Sequence, residues 1–218
     1  MGNQTIHVYE LKCPECADSL YGASGDRLFV CGSCQNVYCA MDGALMRESL
    51  YVASPVHSCT AELLLLPFWR FAVDIHIMDG RGEEVTSRFR TGKLTHAWVA
   101  AFYEVRPSFF GNPGLTLTTA DVAVEPMLWP ADRALQLSGA ARREADARAY
   151  PRPYISGIID REKDISNYRI EVSVQPGEFW AVPFDYNPTD RTLTELLTGT
   201  VYPAAVVECF DELVTSMP

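Results

Sequence analysis

An alternation of apolar and polar residues in the middle of the chain predicts a long, half-buried strand. From residue 69 every second residue is apolar: Trp69, Phe71, Val73, Ile75 and Ile77. A period of two is the signature of a strand with one buried face. The preceding residues 63–69 are the most apolar stretch, but Arg70 and Asp74 follow them directly. A membrane span needs about 18 apolar residues, so this stretch is predicted to be a buried strand.

Further strands are predicted later in the chain. Residues 95–105 carry apolar side chains on alternate positions, and Trp98 and Phe102 add bulk to the other side, which favours burial on both faces. Residues 168–174 alternate again, and residues 179–184 form another apolar run. Residues 79–82 and 175–178 contain glycine and proline and are predicted turns. The short sequences 66–68 and 182–184 share Pro-Phe, either by coincidence or because they mark paired edges of a duplicated sheet.

Two helices complete the predicted fold. Residues 131–149 are rich in Ala, Arg, Leu and Glu and are expected to end before Pro151 and Pro153. Residues 204–215 are predicted to form a closing helix after Pro203. Residues 107–128 are predicted to be mostly loop and residues 49–60 a linker. The fold class is therefore α+β, with a β-rich domain at residues 61–218 that contains two or so helices.

Residues 1–48 are predicted to form a separate N-terminal module. Residues 5–12, 28–30 and 36–39 have the apolar character of short strands, and the turn-forming residues 21–26 lie between them. A hairpin is the expected result. It would bring together two Cys-x-x-Cys pairs.

The cysteine spacing predicts a metal site. Fourteen residues separate the pair Cys13 and Cys16 from the pair Cys31 and Cys34. Two tight turns of this kind can direct four sulfurs at one point, which is the closed tetrahedral shell of structural Zn²⁺. Iron of the rubredoxin type uses the same ligands. A redox pair and four unrelated buried thiols are further alternatives. A closed shell leaves no position for water, so no catalysis is expected at the metal.

Residues 11–46 resemble a zinc ribbon, a module found in transcription factors, ribosomal proteins and many bacterial proteins of unknown role. The matching features are Cys13-Pro14-Glu15-Cys16, Phe29, Cys31-Gly32-Ser33-Cys34 and Tyr38. Many ribbons have Gly after each second cysteine, whereas this chain has Ala17 and Gln35. Residues 66–71 are similar to a segment of poorly characterised bacterial proteins in which a ribbon precedes a β-rich domain. This second resemblance implies no activity.

The other cysteines and the histidines give no readable catalytic motif. Cys39, Cys59 and Cys209 are expected to be buried and inert. His57 lies two residues before Cys59, which raises the alternative of a Cys–His catalytic pair. No orienting carboxylate or oxyanion device is evident in the sequence. No catalytic residue and no cofactor other than zinc are therefore predicted.

The charge of the chain disfavours nucleic acid as a partner. The chain has 218 residues, 18 Lys and Arg against 28 Asp and Glu, and a net charge of −10. Such an acidic surface repels a phosphate backbone. The main basic cluster mixes with acidic residues and is predicted to be a solvated helix face: Arg142, Arg143, Arg148 and Arg152. The seven cysteines and the absence of a signal-like N-terminus favour a reducing, cytoplasmic location without a transmembrane segment.

These observations predict a non-catalytic zinc-binding protein that acts as a subunit or adaptor of a larger protein assembly. Two alternatives stay open. One is an enzyme whose site in the β-rich domain leaves no sequence motif. The other is a nucleic-acid-associated regulator that uses the ribbon.

Overall fold

A computed structural model describes residues 11–22, 25–41, 44–127, 137, 140–208 and 210–211. Within these ranges the chain is mixed α/β, rich in strands and poor in helices. The strands are β1 (Leu20–Tyr21), β2 (Leu28–Cys31), β3 (Val37–Met41), β4 (Ala44–Glu48), β5 (Leu50–Ala53), β6 (Glu62–Met78), β7 (His96–Ala100), β8 (Pro126–Met127), β9 (Arg169–Asn187), β10 (Thr192–Glu195) and β11 (Val201–Pro203). The helices are α1 (Pro107–Phe110), α2 (Pro113–Ala120), α3 (Glu144–Ala147) and α4 (Pro151–Glu162). The predicted strand 5–12 lies mostly outside the described residues.

A large sheet is built around the long antiparallel strands β6 and β9. Their ladder runs from Glu62 opposite Tyr186 to Met78 opposite Arg169. On its other side β6 pairs with β7, while β9 pairs with β10 and, in parallel, with β5. The strands β8 and β11 pair with β5 and β10 respectively.

The middle of the large sheet is buried on both faces. The odd-numbered apolar residues of β6 from Trp69 to Ile77 are buried on one face, as their period of two predicts. Leu64, Leu66 and Phe68 are buried on the opposite face. Helix α4 packs on the first face and helix α2 on the second. The strand predicted at residues 95–105 is confirmed only in part. β7 covers His96–Ala100, and residues 97–102 are buried as predicted, whereas Tyr103 is 51% exposed.

The predicted turn at residues 175–178 is wrong, because β9 continues through it. The register shifts here: Phe71 lies opposite Gly177, but Val73 lies opposite Val174. Two residues of β9 therefore oppose one residue of β6, which is a β-bulge. Pro176 lacks an N–H group, and a bulge is one of the few places where an internal strand accepts proline. Turn-forming residues here bend the strand without ending it.

The two Pro-Phe sequences face each other across the centre of the large sheet. Leu66 lies opposite Val182, so residues 66–68 and 182–184 occupy equivalent places about a local two-fold axis. The similarity seen in the sequence therefore marks paired strands.

Each of these prolines also lies where an outer strand leaves the sheet. The carbonyl of Pro67 accepts a hydrogen bond from the N–H of Ala101 at 2.9 Å, and that of Pro183 accepts one from Leu196 at 3.0 Å. In an antiparallel strand the N and O of one residue point to the same side. Each proline therefore lacks an N–H on the side that faces the outer strand. The ladders with β7 and β10 end there.

Arg142 covers the outer edge of β7 and is not part of a solvated helix face. Its guanidinium donates to the carbonyl of Ala100, and its backbone N–H donates to that of Ala101. Only 7% of its surface is exposed, and its cation lies 4.7 Å from the ring centroid of Tyr150. Thr118 of α2 accepts from the N–H of Trp98 on the same edge. Unpaired strand edges invite aggregation, and these side chains prevent it.

The predictions for residues 131–149 and 107–128 were wrong, because prolines in or just after these regions begin helices. Residues 140–143 are not helical and only Glu144–Ala147 forms a short turn of helix, while residues 131–136 and 138–139 lie outside the described residues. Pro151 begins α4, since proline is favoured in a first helical turn, where its missing N–H would have had no partner. Within the predicted loop 107–128, Pro113 similarly begins α2, and the side chain of Asn112 caps it.

Two other predicted connections also differ. Residues 50–53 of the predicted linker form β5, which lies between β9 and β8 in the large sheet. The predicted closing helix does not begin at Ala204, because Ala204–Val206 is a single 3₁₀ turn and Val207 bridges to Glu104. Residues 209 and 212–215 of that prediction lie outside the described residues.

Strands β1 to β4 form a small antiparallel sheet that shares a core with the large sheet. The order is β1-β2-β3-β4, so the predicted strands at 28–30 and 36–39 are confirmed. One face of this sheet holds the four-cysteine cluster. The other face carries Leu28, Val30, Val37 and Cys39, which belong to the same buried cluster as Val52, Leu65 and Trp69 of the large sheet. The two sheets meet at Ser49, but whether residues 1–48 and 61–218 fold separately stays a prediction.

Candidate metal centre

Two backbone turns of the same geometry carry the four cysteines. In the first, the N–H of Ala17 donates to the carbonyl of Cys13 at 2.9 Å; in the second, that of Gln35 donates to Cys31 at 3.0 Å. The N–H groups of Cys13 and Cys31 then donate to residues five positions later, at 2.7 and 2.9 Å. The two turns therefore have the same pattern of backbone hydrogen bonds.

Ala17 and Gln35 adopt the backbone conformation that favours glycine. Their φ angles are 60° and 57°. Both turns therefore have a residue other than glycine at a position of positive φ. This places a Cβ in the left-handed region, which costs roughly 1–2 kcal/mol per residue.

We expect Ala17→Gly to stabilise the protein. The substitution relieves the left-handed strain, while the freer unfolded chain of glycine offsets part of the gain. The net effect should be about 0.5–1 kcal/mol in denaturant unfolding at a fixed metal concentration. Ala44→Gly, at an exposed strand position of β4, is the control and should lower stability by a similar amount. Equal effects of the two substitutions would contradict the strain argument.

The four sulfurs converge on one point. The Sγ atoms of Cys13 and Cys34 are 3.5 Å apart, those of Cys16 and Cys31 are 3.4 Å apart, and all four lie within 4.8 Å of one another. A zinc–sulfur bond of about 2.3 Å places the sulfurs of a tetrahedron about 3.8 Å apart. The donor set and its spacing therefore fit a tetrahedral metal ion bound by all four predicted residues. It is the one such group of three or more His, Cys, Asp or Glu ligands among the described residues.

Neighbouring side chains hydrogen-bond to the sulfurs. The hydroxyl of Tyr38 lies 3.4 Å from Sγ of Cys13, and the amide of Asn36 donates to Sγ of Cys34 at 3.2 Å. Burial raises the pKa of the Cys13 thiol, but hydrogen bonds from Tyr38 and the nearby backbone outweigh it and lower the pKa to about 6. Outside the cluster, Arg47 joins the two turns by contacting both Glu15 and Asn36. Such outer contacts orient ligands.

Neither Cys39 nor Cys59 has the lowered pKa of a reactive thiol. Cys39 is buried in the core shared by the two sheets, and burial raises its pKa. Cys59 is exposed, contrary to expectation, and its thiol donates to Asp185 at 3.3 Å. Burial and this contact raise the pKa of Cys59, so the reactive thiolate is disfavoured. Cys209 lies outside the described residues.

His57 does not activate Cys59. No hydrogen bond joins the two side chains among the described residues; His57 instead packs beside Gly199. Asp185 belongs to a structural turn, because it accepts from the N–H groups of Thr60 and Ala61 at 2.8 Å each. Burial alone would raise the pKa of Asp185, but these hydrogen bonds lower it to about 2.

Sequence reasoning missed a buried polar group at Glu104. Oxygen Oε1 of Glu104 is buried and has no hydrogen-bond partner among the described residues. Burial raises the pKa of Glu104 to about 7, although the charge of Arg142 opposes the shift. The nearby hydroxyl of Tyr154 accepts from the amide of Asn112 at 2.9 Å. No spacing signals this cluster, because its members come from four separate segments.

We expect Glu104 to make stability fall as pH rises. Its folded pKa of about 7 exceeds the ordinary 4.5, so the folded state binds more protons between these values. Stability is therefore full below about pH 4.5 and declines toward about pH 7, by on the order of 3 kcal/mol. Denaturant unfolding across this window should show that slope, and Glu104→Gln should reduce it. An unchanged slope in the variant would exclude Glu104 as the cause.

An open cleft of about 650 Å³ lies between the ends of α2 and α4. Arg90, Lys93 and Arg161 line it together with Glu162. The carboxylate of Glu162 is already occupied by the N–H groups of Arg90 and Thr91, at 2.9 Å each. Cations beside helix C-termini are favoured by the helix dipole. The charges of the cleft therefore have a structural explanation.

The fold and the cluster define a strand-rich α/β chain with an N-terminal four-thiolate group that is compatible with a metal ion. Comparison of the chain with protein-family models, with curated proteins and with solved structures gives no match. No helix within the described ranges is both long and apolar enough to cross a membrane. The assignment of the small sheet to the zinc-ribbon class stays a prediction.

Proposed function

We propose that Cys13, Cys16, Cys31 and Cys34 bind one structural Zn²⁺ ion and that the small sheet is a zinc ribbon. The observation that carries the proposal is the convergence of four sulfurs from two matched turns. Zinc imposes no geometry of its own and accepts this closed shell. All four positions around the ion are taken by protein, so the ion has a structural role.

We further propose that the protein acts without catalysis, as a subunit or adaptor of a larger protein assembly. The small sheet exposes two large apolar side chains, Leu11 at 43% and Met46 at 56%. Of the cations Lys12, Arg27 and Arg47 in residues 11–48, Arg47 is paired with Glu15 at 2.9 Å, which reduces the positive charge available to a phosphate backbone. Apolar contacts with a protein partner therefore suit this surface better than contacts with nucleic acid.

Metal analysis and affinity capture test the two parts separately. Freshly reduced protein should hold one equivalent of zinc and no visible absorption, whereas rubredoxin-type iron would be coloured. Less than half an equivalent of any metal would refute the metal site.

A partner captured from native extract should be lost when Leu11→Glu and Met46→Glu are combined. Val56→Glu is the matched control, because Val56 is 65% exposed on the large-sheet side.

The Glu104 cluster supports one second candidate, an enzyme whose site lies in residues 61–218. A carboxyl group with a pKa of about 7 suits general acid–base chemistry at neutral pH. Thermal-shift screening of small molecules tests it. A compound that stabilises the native protein but neither Glu104→Gln nor Tyr154→Phe would favour the enzyme over the adaptor.

A further inference from the structure

The first half of β9 is a free edge of the large sheet. β9 pairs with β6 along its whole length, but its other side pairs only from residue 179 onward, with β5 and then β10. Residues 169–174 therefore have a strand on one side alone among the described residues. The edges at β8 and β11 are only two and three residues long.

The free hydrogen-bonding groups on this edge belong to Ile170 and Val172. On β6, the N–H of Val73 donates to Thr95 and that of Ile77 donates to Thr86, so both point away from β9. Residues directly opposite in an antiparallel ladder point their N–H and C=O groups in mirror directions. Their partners therefore point away from β6: Val174 opposite Val73, Val172 opposite Ile75, and Ile170 opposite Ile77.

Only one end of this edge is closed. The carbonyl of Val174 accepts from the guanidinium of Arg148 at 2.6 Å, and the N–H of Gly177 donates to Glu144 at 3.0 Å. The outward groups of Ile170 and Val172 have no such partner in the described part of the chain. Four adjacent backbone groups are thus available to a further strand.

We propose that this edge binds a second copy of the chain, with the two β9 strands antiparallel about a two-fold axis at Ile170. Arg169 then lies opposite Glu171 of the partner subunit, and the pair occurs twice. These side chains are well exposed, at 78% and 51%. Opposite charges directly across an antiparallel pair stabilise it. Within one chain the two side chains already form an ion pair of 2.5 Å, so they can exchange partners without being buried.

Charge complementarity selects this register over the next one. Shifting the axis to residue 171 would use the same number of free backbone groups, since Tyr168 has already committed its N–H to Ile165. However, that shift would place Glu171 opposite its own copy, and like charges directly opposite are destabilising. In the proposed register Ile170 lies opposite its own copy and Val172 lies opposite the partner's Tyr168. The side chains of all three residues are partly buried against the core. This surface is separate from the metal centre and does not depend on it.

Sedimentation and light scattering across a wide range of concentration test the proposal on the full, metal-loaded chain. We expect the native protein to form a dimer. Glu171→Arg should weaken the dimer about tenfold or more, because Arg would then face Arg at two places. Combining Arg169→Glu with Glu171→Arg should restore it. The restored dimer would separate cross-strand pairing from any general loss of stability.

Val172→Pro is the sharpest variant. It removes an outward N–H that donates to nothing in the described part of the monomer, and an edge strand accepts proline there. It should abolish the dimer with the circular dichroism of the monomer unchanged. A native protein that is monomeric throughout would overturn the proposal, as would a dimer indifferent to both Glu171→Arg and Val172→Pro. A monomer that captures a different protein, with capture lost in Val172→Pro, would assign the edge to a foreign strand instead.

Discussion

Chelation of the proposed zinc ion is expected to disorder the small sheet and to weaken one end of the large one. Structural zinc contributes on the order of 10 kcal/mol of binding energy that is also folding energy. Without it, the sheet of β1 to β4 loses the cluster that holds its turns together. Its opposite face, with Leu28, Val30 and Val37, belongs to the same buried cluster as Leu65 and Trp69. Loss of that packing should lower the stability of the remaining chain by about 3 kcal/mol or more.

Hydrogen exchange with and without chelator measures the effect residue by residue. Protection should disappear across β1 to β4 and fall in β5 and the first half of β6. It should persist around Ile75 and Ile77, which lie far along β6 from Leu65. Cys34→Ser should reproduce the pattern, whereas Cys59→Ser should leave both metal content and protection unchanged. Protection that is untouched outside β1 to β4 would show that the shared core contributes nothing.

Replacement of the buried Arg142 by Met is expected to cost about 2–4 kcal/mol. The guanidinium donates to the carbonyl of Ala100 at an edge where no strand follows. Removal of a charged donor leaves that carbonyl buried without a partner, a cost of about 1–3 kcal/mol. The contact with the ring of Tyr150, at 4.7 Å, is lost as well. Met keeps most of the length of the side chain, so the packing around it is largely retained.

Arg143→Met is the matched control, because the neighbouring arginine is half-exposed and pairs with Asp146 on the surface. It should change stability by less than about 0.5 kcal/mol. Arg142→Met should also raise the pKa of Glu104, since the Arg142 charge opposes the effect of burial. The pH window in which stability declines would then extend upward. Equal effects of the two substitutions on unfolding in denaturant would refute the structural role of Arg142.

The sequence was informative wherever a local pattern had one physical meaning. Two Cys-x-x-Cys pairs at this spacing have few other uses, and the structure brings their four sulfurs together. The period of two in β6 requires one buried face, which is what Trp69 to Ile77 form. The double-sided apolar run around Trp98 likewise predicted burial on both faces, and residues 97–102 are buried.

The sequence failed wherever one local signal fits two structures. Pro151 ends one helix as readily as it begins another, and only the packing of α4 on the sheet decides between them. Pro176 and Gly177 suit a turn or a bulge, and the ladder to β6 selects the bulge. Arg142 stands in a polar run, so its burial became visible only when β7 supplied acceptors. The Glu104 cluster could not be predicted because tertiary structure alone assembles it.

The distance along the chain between β6 and β9 determines the order in which the protein can fold. Residue 62 pairs with residue 186, so the central ladder closes only after nearly the whole chain is available. Pairings of such long range are slow to form and leave apolar strands exposed meanwhile. The small sheet has local contacts and precedes β6 in the chain. During synthesis it can therefore close before β9 is available to pair with β6.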